Sequence, residues 1–214
     1  PLGEYSRLGH LGESYQMTQW YPKPAVFDAN GWNPINYLSQ GEFYSEFGSY
    51  DVSITLPKNY VVGATGDLQN ENEIAWLDSL ALIGLQKYNT EADTSMSKKE
   101  PRIEVKFRTE RTNKIIDFPE SAKAFKTIRF KQSKVHDFAW FADKRFNVLS
   151  GEVVLPNTGK KVKTWAMFTN RYEDYWKNAI EYLNDGLFYY SKWNGDYPYE
   201  QCTALDGALT AGGG

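Results

Sequence analysis

Two histidines, His10 and His136, and one cysteine, Cys202, are the only imidazole and thiol groups in the chain. A catalytic zinc needs three or four well-placed ligands, in peptidases commonly from an HExxH helix, and two isolated histidines without that helix cannot supply them. The lone cysteine excludes an internal disulfide and a cysteine-based metal cluster. Lying in a predicted buried strand, it reads as a structural thiol. His136 precedes Asp137, yet neighbours in a strand project to opposite faces, so the two do not make a His–Asp dyad. Glu42 and Glu46 become a general acid and base only if their surroundings split their pKa values. They read instead as a solvated pair.

Groups suited to binding are better represented. Gly212, Gly213 and Gly214 are consecutive, which suits a backbone that must lie close to a ligand or turn sharply. Trp20, Trp32, Tyr37, Phe43 and Tyr44 lie in turn-rich sequence and could stack on sugar rings, although such aromatics more often belong to a core or an interface.

The elements that position these groups are mainly strands. Tyr15–Tyr21 is rich in β-formers and is ended by Pro22 and Pro24. Tyr50–Leu56 alternates strictly, with Tyr50, Val52, Ile54 and Leu56 on one face, and Pro57-Lys58-Asn59 turns it into a hairpin with Tyr60–Thr65. Glu71–Tyr88 predicts a helix with Ile74, Leu77, Ala81 or Leu82, and Leu85 buried, and Asn70 or Asn72 as caps. Residues 89–100 predict a mobile loop. Arg102–Arg108 and Lys126–Lys131 alternate as strands. Gly151–Leu155 and Val162–Phe168 form a hairpin. A helix follows, with Asn170 and Glu173 arranged as a cap, Trp176, Ala179 or Ile180, Leu183 and Leu187 buried, and an end at Asn194-Gly195. Gln201–Leu205 is the last strand.

Composition sets the outer limits. The 214 residues suffice for a sizeable core, and 16% aromatics is far from a disordered composition. No stretch approaches 18 apolar residues, so no membrane span is encoded. The net charge of -3 is uneven: residues 98–163 hold 17 basic and 8 acidic side chains. There Lys and Arg alternate with apolar residues, as on the outer face of a half-exposed sheet, and nucleic acid is not an expected partner.

Several strings, in order, carry a resemblance. They are Thr18-Gln19-Trp20-Tyr21-Pro22-Lys23 with Ala25-Val26-Phe27-Asp28, then Gly48–Pro57 with Val62–Gly66, and Asp137-Phe138-Ala139-Trp140 closed by Arg145-Phe146. Gly195-Asp196-Tyr197-Pro198-Tyr199 and Ala211-Gly212-Gly213-Gly214 complete them. Together they resemble the zinc aminopeptidases of the aminopeptidase N family, the gluzincin aminopeptidases. The resemblance implies a mainly β (α+β) fold. Residues 1–149 would be a truncated antiparallel β-sandwich or saddle-like amino-terminal domain. Residues 150–214 would start a thermolysin-like catalytic domain with its first hairpin, helix and strand, cut within a Gly-x-Met-Glu-Asn type motif.

It also implies a parent hydrolase that removes amino-terminal residues from peptides and uses zinc. The HExxH helix and the third ligand, a glutamate, would follow residue 214, so no catalytic residue, metal ligand or zinc is expected in this segment. Substrate-binding positions would be Gln19, Tyr21, Gly212, Gly213 and Gly214. Tyr21 departs from the family, which has Glu or Gln there to help bind the free amine. The expected partners are a peptide substrate and the remainder of the catalytic domain, and the favoured setting is extracytoplasmic or at the cell envelope. An all-β carbohydrate- or protein-binding module is the alternative.

Overall fold

The alternation at residues 50–56 lies inside a ten-residue strand, which pairs edge to edge with a second long strand. The computed structural model describes residues 8–36, 44–95 and 117–207, without the side chains of 89–95. The amino-terminal part contains β1 (Leu8–Leu11), β2 (Ser14–Met17), β3 (Val26–Asp28), β4 (Gly31–Asn33), β5 (Gly48–Pro57), β6 (Val61–Ala64), β7 (Asp67–Leu68) and α1 (Glu71–Ser95). After it come β8 (Phe125–Val135), β9 (Trp140–Asp143), β10 (Asn147–Val154), β11 (Lys161–Phe168), α2 (Glu173–Trp176), α3 (Ala179–Asn194) and β12 (Gln201–Leu205). The described chain is mainly β with antiparallel sheets, as expected. The strand expected at Arg102–Arg108 lies outside the described residues.

The expected hairpin between β5 and β6 does not form. β5 pairs antiparallel with β8, and β6 pairs with β9 in another sheet, ordered β1-β2-β9-β6. The side chains explain the choice. β8 repeats the alternation of β5, so Val52 meets Phe130 and Ile54 meets Ile128 on the buried face. On the outer face Thr55 bonds Thr127 at 2.8 Å, and Arg129 grips Asp51 with two bonds of 2.6 and 2.5 Å. Every residue of β6 is buried, which requires cover on both faces rather than one.

Both covers are present. Val62 and Ala64 join Ile54, Ile128, Phe130 and Phe138 in one core. Val61 joins Leu77, Ala81, Phe146, Val148, Trp165 and Met167 in another. The boundary expected near Leu149–Ser150 falls inside β10, which packs against both α1 and α3.

α1 buries the expected Leu77 and Ala81, but the stripe continues through Gly84 and Tyr88, while Leu85, like Leu82, is exposed. Gly84 is the cause: a Cβ there would lie 2.3 Å from the Val148 carbonyl oxygen, so only glycine lets the helix come this close to β10. The helix also runs on to Ser95, into the expected loop. Asn70 does not cap it through its side chain, whose Oδ1 accepts from the Arg129 N–H at 2.7 Å.

The second helical region is broken rather than continuous. Residues Asn170–Tyr172 form a 3-10 turn, α2 follows, and α3 begins after Asn178. The Asn170 side chain accepts from Asn147 instead of capping, and Trp176 stacks on Phe168 at 5.7 Å. Ile180 packs over Leu149, Ala166 and Phe168, and Leu187 over Val153, Leu155 and Val162, as the spacing predicts. α3 then returns the chain so that β12 adds parallel to β11, from Lys163↔Gln201 to Met167↔Leu205.

Candidate functional site

The loop between β2 and β3 is fixed by side chains that reach other elements. The Trp20 indole N–H donates to the Phe138 carbonyl at 3.0 Å. The Tyr21 hydroxyl lies 3.0 Å from Asp137 Oδ1 and 2.7 Å from the Tyr50 hydroxyl. An ionised carboxylate only accepts, so the Tyr21 proton goes to Asp137 and the Tyr50 hydroxyl donates to Tyr21. Lys23 Nζ pairs with the same Asp137 oxygen at 3.1 Å.

These anchors hold Gln19 in a left-handed conformation, φ 54°. A non-glycine residue there costs about 1–2 kcal/mol. Its side-chain oxygen, Oε1, is buried with no hydrogen-bond partner, a further cost of about 1–3 kcal/mol. Both penalties fall on one residue at the wall of a cavity of about 340 Å³, lined also by Tyr21, Lys23, Pro34, Ile35 and Tyr44. A buried acceptor in a cavity wall matches a ligand that brings an N–H.

Tyr21 shares the cavity but is committed elsewhere. Burial first, then the charge of Asp137 and the hydrogen bond donated to it, push its pKa far above the ordinary phenol value. It therefore stays neutral, with its proton directed to Asp137, and Gln19 is the member of the pair whose side-chain oxygen has no partner.

No known family model matches the chain. No curated protein matches it either.

Gly212, Gly213 and Gly214 lie outside the described residues. The strand that leads to them is β12, and its exit passes β2: a Cβ on Gly207 would lie 2.9 Å from Gln16 Oε1. Leu205 fills the space above Gly63 of β6, with a methyl 2.6 Å from where a Cβ would stand. Thus Gly207 lies beside β2, the strand that precedes the loop of Gln19. Asp206 secures the exit of β12 by accepting from the Thr169 N–H and hydroxyl at 3.2 and 2.9 Å.

The remaining candidates are dispersed. The Asp137 carboxylate turns to Tyr21, Lys23 and the Phe138 N–H, while the His136 ring rests against Phe47 at 5.5 Å. His10 Nδ1 lies 2.9 Å from the Gly12 carbonyl. Burial pushes the Cys202 thiol up, and only its hydrogen bond with Tyr197 opposes this, so it is a poor nucleophile. Glu46 is exposed, and Glu42, Tyr37 and Phe43 lie outside the described residues. Among the described residues no three of His, Cys, Asp and Glu are grouped to hold a metal ion, so they do not fit a zinc centre.

Sequence reasoning missed Tyr50 and Asp137 as the supports of Tyr21. Asp137 was visible as part of a distinctive string and as the neighbour of His136, not as a partner of Tyr21. Its partner lies 116 positions away, a distance that no local pattern spans.

Proposed function

We propose that this chain is the amino-terminal part of a zinc-dependent aminopeptidase and forms one wall of its substrate cleft. The observation that carries the reading is Gln19: an unpartnered amide oxygen, held in a costly backbone conformation, on a residue that lines a cavity. An ammonium or amide N–H of a peptide's amino-terminal residue would satisfy that oxygen. Tyr21 shapes the site without adding a charge to it. The ordered strings and the β10–β11 hairpin, α3 and parallel β12 agree with the start of a thermolysin-like domain after an amino-terminal β-domain. Among the described residues no group fits zinc, and no step of metal chemistry is assigned to this chain.

The test is to read and express the gene beyond Gly214. The reading expects Met-Glu next and an HExxH helix downstream, with turnover of a leucyl anilide by the longer product and none by the 214-residue chain. Replacing Gln19 with Ala in the longer product should lower kcat/KM about ten-fold or more, as for loss of a buried polar contact. A stop codon after Gly214, or turnover by the short chain, defeats the proposal.

One feature favours the binding-module reading. Phe27 and Trp32 form a cross-strand pair on β3 and β4, 64% and 70% exposed, with rings 5.0 Å apart. Oligosaccharides should then quench tryptophan fluorescence, with the effect lost in Trp32→Ala. The peptidase reading expects no quenching.

A further inference from the structure

α3 shows solvent a face unlike that of an ordinary surface helix. Its inner side, with Ile180, Leu187 and Phe188, packs toward the β10–β11 sheet. Turned away are Tyr182, Tyr189 and Trp193, exposed by 63%, 46% and 70%. The Tyr189 and Trp193 rings are 5.7 Å apart. Gly186 shares their row, and a Cβ there would meet nothing within 4 Å. Positions 182, 186, 189 and 193 follow the alternating four-three-four spacing of a coiled-coil seam. Such an aromatic row on a helix marks a contact surface. Beside it stand Asp185 and Lys192, both exposed, and neither paired with another described residue.

We propose that this face is a dimer surface on which α3 of a second copy of the chain packs antiparallel. In that arrangement Tyr189 of each chain enters the notch at Gly186 of the other, and Tyr182 faces Trp193. The same register sets Asp185 beside Lys192 of the second copy, and Lys192 beside its Asp185. A parallel arrangement would place Gly186 on Gly186, leaving a void, and would separate the opposite charges. One chain supplies both knob and notch and both charges, the self-complementarity that a two-fold interface requires. This favours a second copy over an unrelated partner.

A single pair of 16-residue helices makes a small interface, so the association is weak, with Kd on the order of micromolar. Sedimentation velocity of the full chain through the micromolar range should show a monomer passing to a dimer. Asp185→Lys and Lys192→Asp should each weaken association about ten-fold or more by setting like charges together. Mixing the two variants should restore it, because in the mixed pair one chain presents two ammonium groups to two carboxylates of the other. These positions are solvent-facing, so circular dichroism should be unchanged. A chain that stays monomeric throughout overturns the proposal. So does a dimer unaffected by either charge change and by Trp193→Ser.

Discussion

The Tyr21 hydroxyl donates to the Asp137 carboxylate at 3.0 Å and so ties the loop after β2 to the segment before β9. Through this contact the phenol acts as a strut, and the neighbouring Gln19 is held with its amide oxygen unpaired.

Tyr21→Phe should cost about 1–3 kcal/mol, since Asp137 loses a buried donor. A chain of this size then melts roughly 2–4 °C lower for each kcal/mol. The change should also alter the alkaline limb. The folded-state pKa of Tyr21 is raised above its ordinary 10.0, so its stabilisation is complete below that value and is lost as pH rises toward the folded value. Burial also pushes Tyr60 up to about 12, so some alkaline loss remains. Thermal melts on either side of pH 10.0 should fall less steeply in Tyr21→Phe than in the parent; an equal slope would contradict the assignment.

Gln19→Gly should stabilise the chain by about 1–2 kcal/mol in urea titrations. It removes both the left-handed strain and the buried unpaired oxygen, against a smaller entropic cost. A loss of stability would mean that the amide is satisfied and the site misread.

Glycines on two helices should respond oppositely to Ala. Gly84→Ala drives a methyl into the Val148 carbonyl and should cost about 1–3 kcal/mol. Gly186→Ala meets open space and should gain roughly 0.5–1 kcal/mol from helix propensity. Differential scanning calorimetry on both variants checks the pair.

Lys126 and Glu73 form an ion pair with only 11% and 10% of their side chains exposed, and the Lys126 ammonium lies 4.0 Å from the centre of the Trp76 ring. Burial lowers the Lys126 pKa, with Glu73 opposing it. Glu73→Gln should therefore destabilise by about 3 kcal/mol, because it strands a desolvated cation, and Glu73→Leu with Lys126→Met should recover most of that. Chemical denaturation of the three proteins decides it.

Elements governed by local pattern were legible from the sequence. β5 and β8 alternate, β10 and β11 flank a turn, and α3 carries its apolar spacing before Gly195. Partnerships between distant segments were not. β6 read as the hairpin mate of β5 because it follows at once, whereas its full burial selects β9. The stripe of α1 was legible at Leu77 and Ala81 but misjudged at Leu85, because Gly84, which weighs nothing in hydrophobic spacing, sets the closest approach. At the site, the residue types of Gln19 and Tyr21 were visible. The left-handed turn at Gln19 was not, since glutamine has no preference for that conformation; it follows from anchors on β5 and before β9.

The seat of Leu205 over Gly63 has a consequence for synthesis. β6 leaves the ribosome long before β12, yet its outer surface near Gly63 is roofed by a methyl from almost the end of the described chain. Until that leucine emerges, the nascent polypeptide carries an open greasy seam, the kind of surface that chaperones hold and that aggregation exploits. Slowing translation before residue 205 should therefore depress the soluble yield more than slowing it afterwards.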